Sequence, residues 1–208
     1  MRVLLALVLF GSLSAAMASN RPPSADPKLS AEERAKIIKS LEDSRKELLD
    51  AIEGLSDAQW NYKPSPFKWS VGEVAEHIAL SEDPLFRTVE RALAAKPDPD
   101  WETKTKDKSE LLERLLPNRV GRAQAPEIIQ PRAKMTRAEI IARFKESRAK
   151  TLKFAEQTDL PLKAHTLDHP FRVFSTLNAH QWLSYIPLHH IRHNKQLAEV
   201  KASAGFPK

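Results

Sequence analysis

The chain contains no cysteine, which excludes disulfide scaffolds, Cys-ligated zinc, iron–sulfur clusters and thiol nucleophiles. Any metal must be held by histidines and carboxylates. Glycine is scarce, with 5 residues against 15 prolines among 208, so the composition is neither collagen-like nor glycine-rich. Beyond the N-terminus no segment approaches 18 uninterrupted apolar residues, the length that argues for a membrane-spanning helix. A segregated run of one charge is lacking too. Lys and Arg number 33 against 27 Asp and Glu, a net +6, but the signs alternate, as at Glu32, Glu33, Arg34 and Lys36. Such mixtures read as solvated faces, and no helix clusters Arg and Lys as a nucleic-acid reader would. There is no Gly-rich phosphate loop, no Gly-x-Ser-x-Gly elbow and no His-Glu-x-x-His.

What remains is a chain with 41% hydrophobic residues, long enough to bury a core and sized for one domain. Arg2 precedes an apolar run from Val3 to Phe10, and small residues ending Ala16-Met17-Ala18 follow. That is the pattern of a signal peptide over 1–18 cleaved after Ala18, so the protein is expected to be secreted or periplasmic, with no stable membrane insertion once the leader is gone. Residues 19–28 are polar and Pro-rich and read as a flexible linker, leaving a domain over 29–205.

Four helices are expected. Ser30 with Glu33 opens the first, over 31–54, on a stripe of Ile37, Leu41, Leu48 and Ile52. Ser70 with Glu73 opens the second, over 71–94, which Pro84 is expected to bend. A short amphipathic piece at 109–116 interrupts a long, Pro-rich, irregular crossover. Thr136 with Glu139 opens the third helix, ending near Gln157, and a fourth spans 178–202 with Pro187 inside it. No segment alternates like a strand over a useful length. The fold class predicted is all-α, a four-helix bundle.

Seven histidines are the main source of chemistry: His77, His165, His169, His180, His189, His190 and His193. His189 and His193 stand one turn apart and project from one face, whereas His190 is offset by about 100° and His180 by about 180°. Chance alone would supply roughly 0.2 such pairs in a chain of this composition, so the spacing by itself is weak. Its support is the stripe Trp182, Ile186, His189, His193 and Val200, which turns both rings inward. Buried unpaired imidazoles are costly, and a cation would satisfy both. His77 lies on the inner stripe of the second helix. Alone it reads as an ordinary core or surface histidine; together the three make an open set of ligands between facing helices.

The stretch Trp69-Ser70-Val71-Gly72-Glu73-Val74-Ala75-Glu76-His77 and the later Gln181-Trp182-Leu183 through His189-His190-Ile191-Arg192-His193-Asn194-Lys195-Gln196-Leu197 resemble the two metal-binding segments of the DinB-like superfamily, which includes bacillithiol S-transferase-like proteins. The resemblance covers about 30–203. It implies an up-down-down-up four-helix bundle, a divalent metal on His77, His189 and His193, and homodimers in many members. One departure is the loop from Phe171 to Thr176, which has no Gly where many relatives carry one.

Imidazoles suit zinc, nickel, cobalt, iron or copper, and availability favours zinc. The expected function is a metal-dependent hydrolase or transferase acting on a small-molecule substrate; the catalytic residues are not identifiable. The alternative is a non-catalytic metal- or ligand-binding bundle of the cell envelope, because cytosolic thiols are scarce where an exported protein works. Glu73, Glu76 and Gln196 are each open to a supporting role or to plain surface and packing roles. His165 and His169 either gate the pocket or are solvated, and Trp60, Trp69 and Trp182 either wall a cavity or fill the core.

Overall fold

A computed structural model describes residues 25–119, 124–132 and 134–208. The expected leader, 1–18, and most of the linker lie outside the described residues. Among the described residues there are seven α-helices: α1 Ala31–Ile52, α2 Asp57–Asn61, α3 Val71–Ala94, α4 Trp101–Thr105, α5 Lys108–Leu115, α6 Arg137–Gln157 and α7 Ala179–Lys201. Among the described residues no helix is long and apolar enough to cross a membrane.

Five helices begin with the same reciprocal device. Ser30 and Glu33, Ser56 and Gln59, Ser70 and Glu73, Thr136 and Glu139, and Asn178 and Gln181 each exchange side-chain-to-backbone bonds that close a capping box. Each box satisfies amides that a helix start would otherwise leave open, stabilising it by about 1 kcal/mol. Gly54, with φ +66°, turns the chain after α1, two residues short of where the apolar pattern alone would carry the helix. Helix α3 runs unbroken through Pro84, and α7 through Pro187.

The four long helices form the bundle. Helix α3 packs on α7, α7 on α1, α1 on α6 and α6 on α3, so helices consecutive in the bundle, α1 with α3 and α6 with α7, stand diagonally opposite. Directions follow from bonds at the ends. Lys201, closing α7, reaches the Ala51 carbonyl at the end of α1 at 2.7 Å, and Arg137, opening α6, reaches the carbonyl of Leu55 at 2.5 Å. Val71 and Val74, opening α3, share a core cluster with Leu197 and Val200. The arrangement is up-down-down-up.

The crossover between α3 and α6 is mostly irregular, as its prolines require, with α4, α5 and a 3-10 turn at Glu127–Ile129 embedded in it. One short element joins the helices. Thr166–Asp168 (β1) and Thr176–Asn178 (β2) pair as an antiparallel hairpin before α7. Three-residue strands are too short to show the alternation that marks a strand in sequence. In the loop between them Ser175 takes the left-handed conformation, φ 54°, at a place where glycine would adopt it without strain.

The core has two parts. Leu41, Val89, Leu112, Leu183 and Ile186 anchor one end of the bundle, and Leu48, Val74, Ile78, Phe144 and Leu197 the other. Polar side chains occupy the level between them.

Candidate metal centre

His77 comes from α3 and His189 and His193 from adjacent turns of α7, the helix that packs most closely on it. One ring nitrogen from each lies within 4.8 Å of those of the other two. The ring centroids are 4.4 Å apart for His77 and His193, 4.5 Å for His189 and His193, and 5.3 Å for His77 and His189. Nitrogens this close together can share one cation, which imidazoles hold at about 2.1 Å.

The rings are oriented from behind. His77 donates Nδ1–H to the carbonyl oxygen of Ile129, at 2.7 Å, and because a carbonyl only accepts, the tautomer leaves Nε2 with a free lone pair. His193 donates Nδ1–H to Oε1 of Gln196 at 2.9 Å. Arg119 donates to the same oxygen at 3.1 Å, which fixes the amide orientation because a guanidinium cannot accept. His189 is held by packing, its ring lying against Tyr185 at 6.2 Å, and its buried Nδ1 has no hydrogen-bond partner among the described residues. An orphaned ring nitrogen in a cluster of three imidazoles suits a cation.

Burial sets the charge state. It lowers His77 to about 4 and, together with repulsion from His77, His193 to about 3; His189 falls well below the ordinary value for the same reasons. All three are neutral at pH 7, the form that ligates a metal. Trp69 walls the site, its ring 4.9 Å from that of His77 and 6.4 Å from that of His193. Among the described residues no carboxylate or fourth histidine joins the cluster.

The other candidates are placed as follows. Glu73 caps α3 and pairs with Lys63 at 2.8 Å. Glu76 is buried and accepts from the backbone amide of Arg132 at 3.3 Å. His165 bonds the Ala95 carbonyl at 2.8 Å. His169 is neither solvated nor exposed: it stacks on Trp182, centroids 4.9 Å apart and planes within 14°, beside Tyr185 and Phe174. His180 faces Glu33 and Lys163, away from the centre. Trp60 covers Gly72, where an added Cβ would lie 2.4 Å from the indole nitrogen.

Sequence reasoning missed a second polar cluster next to the triad. Arg148 of α6, Glu82 of α3 and His190 of α7 have no side-chain exposure at all. Arg148 binds Oε1 of Glu82 through Nη2 at 2.7 Å and through Nε at 3.0 Å. It also donates to His190 Nδ1, to the Leu41 carbonyl and, at 2.9 Å, to Ser44. All four bundle helices therefore meet at one guanidinium. The arginine makes Nδ1 of His190 an acceptor, so the proton sits on Nε2, 3.1 Å from Glu82 Oε1 though not aligned for a hydrogen bond. The sequence signal was available: Arg148 falls on the stripe Ile140, Phe144, Leu152, and Glu82 follows Ile78 by one turn.

The profile of the DinB superfamily matches residues 40–197, more than half of the chain. The chain belongs to the DinB superfamily. Both segments that carry the histidine triad fall inside that match. The Bacillus subtilis (strain 168) protein YuaE, itself uncharacterized, is 24% identical over 163 residues, which is 76% of this chain and 93% of YuaE. Among solved structures, the chain is similar to YfiT from Bacillus subtilis, described as a probable metal-dependent hydrolase with an unusual four-helix bundle topology. That likeness has a TM-score of 0.57 at 18% identity, over 90% of this chain and 94% of YfiT. It shows a shared four-helix-bundle fold.

Proposed function

We propose that this DinB-family chain is an exported metal-dependent hydrolase or transferase of a small substrate, with His77, His189 and His193 as the ligands and zinc as the metal. The observation that carries the reading is the open triad. Three neutral imidazole nitrogens converge within 4.8 Å, and no fourth His, Asp or Glu among the described residues closes the set. Structural metal sites use four protein ligands, whereas catalytic ones keep a position for substrate.

A divalent ion held there would serve as a Lewis acid toward a substrate oxygen. The chain's own residues do the rest. The Ile129 carbonyl and the Gln196 amide oxygen each accept from the Nδ1–H of one ring, which leaves its Nε2 lone pair free for a cation. Trp69 excludes water from one side, and a dry wall strengthens every polar contact made inside it. The likeness to YfiT supports hydrolysis as the first class to try. Export is supported by Arg2, the apolar run to Phe10 and the Ala16-Met17-Ala18 sequence.

The test is a panel of small esters, amides, epoxides and thiol-transfer substrates offered to zinc-loaded mature protein. Turnover that a chelator abolishes and added metal restores supports the proposal. Inactivity of pure, metal-loaded protein across all four classes overturns it in favour of a binding protein.

A further inference from the structure

Tyr185 is one polar group on the triad's side of α7 to which the reading above gives no role. It precedes His189 by one turn, and the two rings stack with planes 19° apart. On its other sides the ring is fenced by His169 at 5.4 Å, Trp182 at 5.6 Å and Phe174 at 6.2 Å. The ring is buried, but its hydroxyl is not among the buried unpaired atoms and bonds to no residue among those described. The oxygen therefore opens onto unfilled space, where a phenylalanine would leave no donor for a ligand. The ring is also in the right neighbourhood, its centroid 6.2 Å from that of His189.

We propose that Tyr185 is a catalytic residue of this centre, whose hydroxyl donates a hydrogen bond to the carbonyl-type oxygen of a substrate seated at His77, His189 and His193. The aromatic fence holds the donor in one orientation before substrate arrives, so no reorganisation is needed when charge develops on that oxygen. The same fence favours an acyl group with an apolar or aromatic body over a highly charged one. The inference rests on the metal-centre reading and adds a substrate class to it.

The experiment compares the mature protein with Tyr185→Phe, which keeps the ring and removes the donor. Zinc affinity is measured by competition with a chromophoric chelator. Binding of acetohydroxamate, a carbonyl-bearing metal ligand, to the zinc-loaded protein is measured by calorimetry. The expected result is unchanged zinc affinity with acetohydroxamate bound about tenfold more weakly by the variant, the scale of one lost hydrogen bond. Equal affinity for acetohydroxamate in the two proteins overturns the inference while leaving the metal centre intact. So does a zinc-loaded wild type that does not bind the probe. Loss of zinc in Tyr185→Phe makes the residue structural and also overturns it. A wild type that takes up no zinc overturns both readings.

Discussion

The Nδ1 of His77 lies 2.7 Å from the carbonyl oxygen of Ile129, so a candidate ligand on the second bundle helix is oriented by the irregular crossover that follows it. The bond couples ordering of the crossover to the metal. Occupation of the triad should hold His77 in place and with it the turn at Glu127–Ile129. Hydrogen exchange of the Ile129 and Gln130 amides, which bond to Pro126 and Glu127 within that turn, is predicted to slow on addition of zinc. Unchanged exchange there would mean the two are uncoupled.

Gln196 links Arg119 to His193 through one oxygen. Gln196→Leu removes the acceptor and frees the imidazole to rotate. Zinc affinity is predicted to fall about 10- to 100-fold, the usual effect of losing such a partner, while Gln196→Glu keeps an acceptor and retains most of the affinity. Equal affinities for wild type and Gln196→Leu would contradict this role.

Arg148 is the sole cation beside the buried Glu82 among their described ion pairs. Burial raises the Glu82 carboxyl above its ordinary value, against the pull of Arg148. Arg148→Met would leave that carboxylate without its cation and His190 Nδ1 without its donor, while the Leu41 carbonyl keeps the Ser44 hydroxyl. The variant is predicted to lose about 3–5 kcal/mol of stability in urea unfolding, and adding Glu82→Gln to recover part of it. A loss below about 1 kcal/mol would place the network outside the group of interactions that hold the bundle together.

Acid should destabilise the metal-free protein through its buried imidazoles. Burial lowers both His77 and His169 from 6.5 to about 4. Between those values the unfolded chain takes up protons that the folded one refuses, so their contribution is fully present above about 6.5 and lost as the pH falls toward 4. The upper scale is about 3 kcal/mol for His77, and less for the more accessible His169. Urea midpoints are predicted to fall steadily from pH 7 to pH 4.5, and bound zinc to blunt the fall. A flat profile would contradict the burial of these rings as neutral groups.

Much of this was legible in the sequence, and the reasons for the rest are physical. Apolar stripes and Ser-x-x-Glu caps located the long helices because they report local hydrogen bonding and one buried face. Ser56 with Gln59 and Asn178 with Gln181 carry the same signature with an amide in place of the carboxylate. The i, i+4 pair of His189 and His193 was readable from helical geometry, and His77 from its inward stripe. The Ile129 carbonyl was not, because a backbone group brought in by an irregular segment leaves no mark in residue type. Arg148 and Glu82 were visible as charges on apolar stripes, but their pairing depends on which helices face each other. Ser175 shows how the hairpin loop dispenses with glycine, by accepting a left-handed residue with a side chain.

Metal content of the untagged mature protein, equilibrated with zinc and freed of excess, tests the central claim most directly. One zinc per chain is predicted for wild type, with near-complete loss in His77→Ala and His193→Ala at retained helicity. Far less than one zinc in wild type, or full occupancy in His77→Ala, would contradict it.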